Sequence, residues 1–334
     1  MFSAAIAGTI ADIDWLSISF GPSAFLIWHR TYSHSILAAV LLAAILRIIL
    51  LTALYVRGNL AIAMVLPKEE EAPREPRDIV QLISRRALIV FVAAPLCAAL
   101  LHIAMDACQS DGVEVFWPFS SRRFAADWLP PIDPWILTIL IACIALPELL
   151  RLVSSEIGAK TKKPRGQTGA LIGLALVLIY LGARATLHSN VIAQMGARTF
   201  HGEALRRASA FPQALSLLTW HGVAETDSAL NLIDVDAGSA DTFDADSSVR
   251  VFKPEASPAL DAARNTSVAR EFLATAQIPK ASLEKTVTGY VVTLRDWRYS
   301  ASGETQREVA AVIGLDLNNK VTSQELLWAP DLPH

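Results

Sequence analysis

The 334-residue sequence has few cysteines, a low share of charged residues and no excess of basic charge. Lysine and arginine number 29 against 32 aspartates and glutamates, which gives a formal net charge of −3. A nucleic-acid-binding surface needs clustered basic residues to neutralise phosphates, so no nucleic-acid partner is expected. The three cysteines lie in or beside apolar runs and are not closely paired in sequence. This pattern is typical of small apolar packing residues and says little about the redox compartment.

The sequence also lacks the features of a cleavable signal peptide. The first segment, MFSAAIAGTIADIDWL, has no basic residues at its start and no small-residue cleavage site. Its apolar part ends at Asp12 and is too short to cross a bilayer. We therefore expect a half-buried or re-entrant helix at the N-terminus.

Apolar residues make up 53% of the sequence, and most of the long apolar runs lie between residues 33 and 187. A spanning helix needs about 20 mostly apolar residues. Four runs satisfy this requirement and predict four spans: Ser35–Tyr55, Ala87–Cys108, Trp135–Leu152 and Thr168–Leu187. The expected fold begins with a multi-span α-helical membrane domain over 1–190, with about four spans and the N-terminal half-helix.

Lysine and arginine are concentrated in two of the predicted loops, and this bias sets the expected orientation. The loop 57–86 holds six of them and GAKTKKPRG (158–166) adds four, whereas the loop 109–134 holds only two. We expect a multi-pass protein of the bacterial cytoplasmic (inner) membrane, with the two basic loops in the cytoplasm. Residues 1–34, the loop 109–134 and the chain after about 188 would then face the periplasm.

Residues 200–334 have the pattern of a separate soluble domain. TGYVVTLRDWRYS (288–300) and EVAAVIGLDLNNKVTSQELLW (308–328) predict strands, the second folded into a hairpin at Asn318-Asn319. NTSVAREFLATAQ (265–277) predicts a short amphipathic helix that is capped within its first three residues. We expect a small α+β extracytoplasmic domain of four to six strands.

Ionisable residues are concentrated on the predicted outer side of the membrane. LLHIAMDAC places His102 and Asp106 at i and i+4, so both lie on one helix face. An ionisable pair within a span must be paired, metal-bound or in contact with water, and imidazole with carboxylate suits a zinc-like ion. Four further candidates are expected on the same side: Asp12, Asp14, His29 and His34. A hydrogen-bonded structural pair on the helix and a capped helix start at WHRTYSHS (28–35) remain the alternatives to a metal site.

The segment DGVEVFWPFSSRRF (111–124) combines a turn, aromatic residues and two arginines. Phe116, Trp117 and Phe119 suit a membrane–water interface. Arg122 and Arg123 follow where a phosphate or lipid headgroup would lie. The segment is either an interfacial anchor or the rim of a substrate site whose guanidinium groups pair with an anionic oxygen.

Taken together, these motifs resemble the YdjM-type family of membrane-bound metal-dependent hydrolases. ADIDWL corresponds to the family's P-D-I-D element, HRTYSHS to H-R-x-x-T-H-S, and LLHIAMDACQSDGVEVFWPFSSRRF to L-H-x-x-x-D…G…W-P-F-S. PPIDPW (130–135) resembles the segment that follows, so the likeness covers about residues 5–135. The family is distantly similar to zinc phospholipase C and single-strand nucleases, helical enzymes that hydrolyse phosphodiesters with metal bound to clustered histidines and aspartates.

This resemblance implies a set of site residues and an activity. The implied ligands of a divalent metal ion, with zinc foremost, are Asp12, Asp14, His34, His102 and Asp106. The implied catalytic residues are His29, as a ligand or base, and the charge-stabilising Arg30, Arg122 and Arg123. The expected reaction is hydrolysis of a phosphoester or similar bond in a lipid or lipid-linked substrate at the outer membrane–water boundary.

The sequence departs from the family pattern in three places. Ala11 replaces the proline of P-D-I-D, and Ser33 replaces the threonine of T-H-S. The family's early T-H element is missing from the residues before ADID, so either the true start lies upstream or the site is one ligand short. The second alternative gives a competing function: a non-catalytic, degenerate membrane relative whose C-terminal domain binds a partner.

Overall fold

The computed structural model describes most of the chain, in the following ranges: 6, 8–65, 85–156, 167–239, 243–302 and 308–329. The chain divides into two units. Unit 1 comprises Met1–Ala107 and Asp111–Ala125, and unit 2 comprises Cys108–Ser110 and Ala126–His334. The predicted boundary between a membrane domain over 1–190 and a soluble domain over 200–334 stays a prediction.

Unit 1 consists of helices and one folded loop in its described part. A 3-10 helix, Ile10–Phe20, is followed by three α-helices: α1 (Pro22–Trp28), α2 (Ile36–Val65) and α3 (Arg85–Ala107). Gly21 has a φ of +97°, which ends the 3-10 helix, and Pro22 begins α1 with a φ already suited to a helix. The 3-10 helix lies where the sequence predicts a half-helix.

Small side chains hold α2 against α3. Ala39 of α2 packs with Ala99 and Ile103 of α3 and with Val113 of the loop in a buried apolar cluster. Alanine side chains let two helix backbones approach closely. Because Ile103 directly follows His102, this packing also fixes the direction in which the polar side chains of α3 point.

Unit 2 begins with two long helices, α4 (Pro134–Glu156) and α5 (Gln167–Gly196), which pack together. A Cβ atom on Gly169 would lie 2.3 Å from the carbonyl oxygen of Cys143, and one on Gly173 would lie 3.2 Å from the Cys143 Cβ. The two glycines therefore let α5 lie directly on α4.

The described strands of unit 2 form two four-stranded antiparallel sheets and a short ribbon. The ribbon pairs β1 (Thr199–Phe200) with β2 (Glu203–Ala204). The first sheet has the order β3 (Arg207–Pro212), β4 (Thr219–Glu225), β5 (Ala229–Asp236) and β6 (Val249–Phe252). The second has the order β7 (Pro279–Lys285), β8 (Gly289–Asp296), β9 (Val309–Asp316) and β10 (Val321–Trp328). Within the ribbon and within each sheet, every strand thus pairs with the next one along the chain.

Three short helices accompany the strands: α6 (Pro258–Arg264), α7 (Ser267–Thr275) and α8 (Trp297–Ser302). The helix α6 contacts β8 and β9, α7 contacts β9 and β10, and α8 contacts β3 and β4 of the first sheet. The Thr266 hydroxyl accepts a hydrogen bond from the Ala269 N–H at 3.2 Å and so caps α7. This confirms the capped helix that the sequence predicts at 265–277.

The last turns of α5 form part of the core of the first sheet. Val191 and Met195 have no exposed surface and pack with Phe200, Trp220 and Val235. The helix therefore continues without a break from its apolar first half into the core of the sheet.

The prediction of about four membrane spans is wrong. Among the residues that the structure describes, one helix is long and apolar enough to cross a membrane, α5, which includes the predicted span Thr168–Leu187. The other predicted spans contain apolar helical segments of only 10–17 residues: Ile36–Ile49, Ala93–Ala107 and Pro134–Pro147. These are shorter than the roughly 20 residues that a span requires. Spans and short packed helices share an apolar composition, so the length of a run in the sequence overestimated the number of spans.

The C-terminal region contains more sheet than the sequence predicts. Ten strands are described where four to six were expected, because several strands are too short to show an alternating pattern. The hairpin at Asn318-Asn319 is confirmed between β9 and β10, and Asn319 has the positive φ of +61° that such a turn uses.

Candidate metal centre

Four side chains from three segments of unit 1 converge on one point. Asp12 belongs to the 3-10 helix, His34 to the turn before α2, and His102 with Asp106 to the last turns of α3. One ligand atom from each of the four lies within 4.8 Å of the others. His34 is fully buried, whereas the Asp12 side chain is 45% exposed and lies at the mouth of the group.

Five of the six distances between the donor atoms are close to the edge of a tetrahedral metal site. His34 Nε2 and His102 Nε2 are 3.3 Å apart, and each lies 3.1 Å from Asp106 Oδ2. Asp12 Oδ1 is 3.4 Å from His102 Nε2 and 3.7 Å from His34 Nε2. A tetrahedral site with metal–ligand bonds of about 2.0–2.1 Å has edges of about 3.3 Å. These five distances are therefore close to the spacing that such an ion requires, and the sixth, between Asp12 and Asp106, is at most 4.8 Å.

The hydrogen bonding of Asp106 also fits a cation. Asp106 Oδ2 is buried and makes no hydrogen bond of acceptable geometry among the described residues, although both imidazoles are close. A buried carboxylate oxygen left in this state costs free energy. A cation shared with the two imidazoles would satisfy this oxygen, so the residues present could hold a metal ion.

The carboxylates change the protonation of His34. Burial by itself lowers the pKa of His34, but the nearby carboxylates, Asp106 first, outweigh burial and raise that pKa to about 10. Burial by itself raises the pKa of Asp12, but its contacts with His102 and His34 lower that pKa to about 2. Contacts with Asp106 and Asp12 likewise raise the pKa of His102 to about 9. At neutral pH the metal-free cluster therefore holds an added proton on each imidazole, and a metal ion must displace them.

Asp14 lies behind His34, outside the group of four. Its Oδ2 is 3.1 Å from His34 Nδ1 and accepts a hydrogen bond from the backbone N–H of Arg30 at 2.7 Å. Burial by itself raises the pKa of Asp14, but contacts with His29 and His34 hold it well below its usual range. Carboxylates that contact the second nitrogen of a metal-binding histidine fix the orientation of its ring. The structure thus brings together four of the five predicted ligands and places the fifth where it orients His34.

Arg30 contacts the other oxygen of Asp106. Its Nη2 lies 3.3 Å from Asp106 Oδ1, and its Nη1 lies 3.8 Å from Asp111 Oδ2. Arg30 is buried and has a φ of +59°, which is uncommon for a residue other than glycine. In this conformation its backbone N–H reaches Asp14 while its guanidinium group reaches Asp106. Arg30 therefore links the two carboxylates on opposite sides of the cluster.

His29 is buried beside the cluster. Its ring stacks on Phe25 with centroids 4.6 Å apart, and its edge contact with Trp15 has a centroid distance of 5.0 Å. His29 Nδ1 is 3.6 Å from Asp14 Oδ1. The predicted role of His29 as a ligand or base stays a prediction, and its contacts connect it to the cluster through Asp14.

Arg123 and Arg122 have different surroundings. Arg123 Nη2 donates hydrogen bonds to the His29 carbonyl oxygen at 3.3 Å and to Thr31 Oγ1 at 3.2 Å, and lies 3.4 Å from Glu114 Oε1. Arg122 is exposed, with its guanidinium carbon 5.2 Å from the centroid of the Phe124 ring. Arg123 thus holds the loop against the HRTYSHS turn, whereas the Arg122 side chain faces solvent. Their predicted roles in charge stabilisation stay predictions.

Sequence reasoning missed Thr31 and Glu114, which share this contact with Arg123. Their hydroxyl and carboxylate lie 3.4 Å apart and join the HRTYSHS turn to the loop 111–125. Both residues stand inside motifs that the sequence had singled out, but nothing in their spacing indicates which pairs meet.

Gly112 lets the loop 111–125 fold back on itself. It has a φ of +64°, and a Cβ atom there would lie 2.7 Å from the carbonyl oxygen of Phe124. Val113 and Phe124 exchange two backbone hydrogen bonds of 2.9 Å. The folded loop exposes Phe119, which is 87% exposed, at its tip.

A family model described as YdjM inner membrane protein matches residues 1–191. The match covers more than half of the chain and includes every residue of the cluster. The chain belongs to the YdjM family. Searches of curated proteins and of solved structures gave no match.

Membership of the YdjM family confirms the resemblance that ADIDWL, HRTYSHS and the L-H-x-x-x-D block indicate. It also fits a membrane location, since the family is one of inner membrane proteins and α5 has the length and composition of a span. The YdjM match ends at 191, so both four-stranded sheets lie beyond it.

Proposed function

We propose that this YdjM family member is a membrane-bound metal-dependent hydrolase with a zinc ion held by four residues: Asp12, His34, His102 and Asp106. The tetrahedral spacing of two imidazole nitrogens and two carboxylate oxygens is the observation that carries the proposal. Nitrogen and oxygen donors at four corners match the preference of zinc, whereas magnesium and calcium take six or more oxygen ligands.

The chemistry of the site follows from the exposure of its ligands. A bound divalent cation supplies Lewis acidity and brings the pKa of a water molecule that it holds close to neutrality. His34 and Asp106 are buried, whereas the Asp12 side chain is 45% exposed and makes the longest donor distances. Catalytic zinc sites keep one position beside three protein ligands for water or substrate. Asp12 is therefore the ligand that shifts to admit water and substrate from the open side.

The surrounding residues hold this geometry in place. Asp14 fixes the ring of His34, and Arg30 fixes the carboxylate of Asp106. His29 lies near Oδ1 of Asp14, whereas His34 contacts Oδ2. In this proposal these three residues position the ligands, and their loss weakens metal binding without removing a donor.

The substrate class is a phosphoester, or a similar bond, in a lipid or lipid-linked molecule at the membrane–water boundary. Arg122 supports this class because its exposed guanidinium group can pair with an anionic phosphate oxygen. Phe119, at the tip of the same loop, offers an exposed aromatic ring that suits the interface beside a lipid headgroup.

The charge pattern around α5 supports an extracytoplasmic location for both sheets. The basic segment GAKTKKPRG (158–166) directly precedes α5, and basic residues at one end of a span favour the cytoplasm for that end. The chain after Gly196 would then lie in the periplasm. A C-terminal alkaline phosphatase fusion tests this orientation, since that enzyme is active only after export: activity is expected, and an inactive full-length fusion would contradict it.

The metal content of purified protein tests the site. Zinc at about one ion per chain is expected in the wild type, and Asp106→Asn should remove it, because the amide keeps the shape but loses the negative charge. Asp234→Asn is a matched control, since Asp234 also contacts a histidine but lies in unit 2. Equal metal content in wild type and Asp106→Asn would rule out the site.

Hydrolysis assays test the activity separately. The wild type should cleave bis-p-nitrophenyl phosphate or a fluorescent phospholipid in vesicles, lose activity with chelator and regain it with zinc. Arg122→Gln should slow cleavage while leaving the metal content unchanged. If the protein binds zinc but cleaves neither substrate, the proposed metal site stands and the proposed activity does not. That result would support the degenerate, non-catalytic alternative.

A further inference from the structure

Arg184 of α5 fixes the loop between β3 and β4, residues 213–218, at one level of the helix. The Arg184 side chain is buried, and its Nη1 donates a hydrogen bond to the Leu217 carbonyl oxygen at 2.8 Å. Its Nε donates to the Trp128 carbonyl oxygen at 3.0 Å, and its guanidinium carbon lies 4.2 Å from the centroid of the Trp220 ring. The loop therefore lies beside α5 at the height of Arg184.

The apolar, exposed part of α5 ends at the height of Arg184. About 26 Å of helix separates Gln167 from Arg184 at 1.5 Å per residue, close to the roughly 30 Å of a bilayer's hydrocarbon core. Ile179, before Arg184, is 68% exposed, whereas Val191, after it, is buried in the core of the first sheet. After Arg184 the first sheet covers one face of the helix, so lipid can surround the helix only before this residue, and the boundary of the bilayer falls near it.

The loop 213–218 presents apolar side chains at this boundary. Its sequence QALSLL has no charged residue, and Leu215 is 81% exposed, with Leu217 and Leu218 at 39% and 42%. Three leucines exposed together in one short loop are unfavourable in water.

Several backbone polar groups at the end of the loop have partners within unit 2. Ser216 Oγ accepts hydrogen bonds from the N–H groups of Leu218 at 3.3 Å and Thr219 at 2.9 Å. The carbonyl oxygen of Leu218 accepts one from the Ala237 N–H at 2.9 Å, and that of Leu217 is held by Arg184. Backbone groups that already have partners can leave water at little cost.

We propose that the loop 213–218 inserts its leucine side chains into the lipid bilayer beside α5, and so anchors the first sheet at the membrane surface. The leucine side chains contact lipid rather than protein, because the loop lies beside α5 at the end of the helix's exposed apolar surface. The proposal rests on the membrane placement of α5, which belongs to the proposed location of the protein, and does not depend on the metal site.

Lipid-dependent fluorescence tests the proposal on the full chain in liposomes. The three native cysteines, Cys97, Cys108 and Cys143, are replaced by alanine, and Leu215→Cys is labelled with the polarity-sensitive dye NBD. The control label is at Val287→Cys, an apolar residue that is 97% exposed but lies between β7 and β8 of the second sheet. Leu215 should give blue-shifted emission that doxyl-labelled phospholipid quenches at least twofold more than emission from Val287.

Three outcomes would overturn the proposal. They are water-like emission at Leu215, equal quenching at the two positions, and a blue shift at Leu215 without quenching by the lipid, which would indicate a protein partner or a second copy. A label at Leu217→Cys repeats the test if the first variant folds poorly. Metal content measured on the same samples separates a failure of this anchor from a failure of the metal site.

Discussion

Two groupings of histidine and aspartate, one in each unit, show what distinguishes a site from a surface contact. In unit 2, His221 Nδ1 lies 2.6 Å from Asp234 Oδ1, closer than the 3.1 Å that separates either imidazole nitrogen from Asp106 Oδ2 in the cluster of unit 1. The pair is formed by directly opposite residues on β4 and β5, and its side chains are 28% and 61% exposed. The cluster instead joins four donors from three segments, and only Asp12 is well exposed.

The difference lies in desolvation rather than in distance. An exposed ion pair is screened by water and contributes little to stability. Burying several ionisable groups together costs free energy unless charges or a bound ion compensate for the lost water. Keeping the cluster in unit 1 buried therefore costs free energy of desolvation. That four donor atoms nevertheless meet at one point favours a bound metal ion that offsets this cost.

The largest expected effect is a difference in zinc affinity between variants of the cluster in unit 1 and variants of the pair in unit 2. His34→Ala removes a fully buried donor, so zinc affinity should fall by more than the roughly 100-fold that supporting residues provide. His221→Ala should leave it unchanged, because that histidine has only one neighbouring carboxylate among its recorded contacts. Competition with a chromogenic chelator measures both. A similar loss of zinc affinity in the two variants would contradict the proposal that only the cluster in unit 1 binds the metal.

A smaller effect is expected for Asp14, which touches the cluster without joining it. Asp14→Asn should lower zinc affinity about 10- to 100-fold while keeping about one ion per chain at saturating zinc, because the ring of His34 loses its orienting charge. The same competition assay measures this change, with Asp234→Asn as the control. A loss as large as that of His34→Ala would make Asp14 a direct ligand.

The pH dependence of binding should show the protons that the cluster holds. With the pKa of His34 raised to about 10 and that of His102 to about 9, zinc must displace a proton from each across the neutral range. Affinity should therefore rise by up to about 100-fold per pH unit between about pH 7 and 9, and the release of up to two protons should accompany binding. Isothermal titration in buffers of different ionisation enthalpy measures the released protons. Binding that releases none at pH 7 would contradict the raised pKa values.

In the metal-free protein, the stability that the raised pKa of His34 contributes should fall as the pH rises, whereas metal affinity should rise. The raised pKa of His34 gives stability that is fully present below 6.5 and is lost as the pH rises through about 10. The lowered pKa of Asp12 gives stability that is present above 3.8 and is lost as the pH falls through about 2. With chelator present, the contribution of the cluster should be greatest between about pH 4 and 6.5. Thermal unfolding across pH, compared with the Asp106→Asn variant, measures it.

The smallest effect is expected at the exposed pair. A double-mutant cycle on His221 and Asp234 should give a coupling free energy of about 0.2–1 kcal/mol, as for other exposed ion pairs. Thermal or denaturant unfolding of the four proteins measures it. A coupling of several kcal/mol would mean that the pair is more than a surface contact.

The sequence indicated which residues meet in the cluster better than it indicated their arrangement. The i, i+4 spacing on α3 correctly brings His102 and Asp106 to one face, because helix geometry fixes it. Asp12 and Asp14 look equivalent in ADIDWL, but they lie on a 3-10 helix with three residues per turn, so side chains two apart point in different directions. One faces His102 and the other His34 Nδ1. A spacing rule could not separate these roles, since the 3-10 conformation was not predicted.

Long-range contacts account for much of what the sequence did not predict. Arg30 and Arg123 were expected to stabilise charge on a substrate, and nothing in the sequence indicated that each also makes hydrogen bonds or ion pairs with residues far along the chain. The apolar helices of unit 1 read as spans, but small side chains pack them against each other. Strands such as β1 and β2, with two residues each, are too short to show a period of two.

X-ray absorption at the zinc edge of the purified protein tests the central claim most directly. A tetrahedral site built from the four donors predicts about four nitrogen or oxygen neighbours at about 2.0 Å, with the outer-shell scattering of two imidazoles. Asp106→Asn should abolish this signal, and His221→Ala should leave it unchanged. A zinc spectrum without imidazole scattering, or one that Asp106→Asn does not alter, would contradict the proposed metal centre.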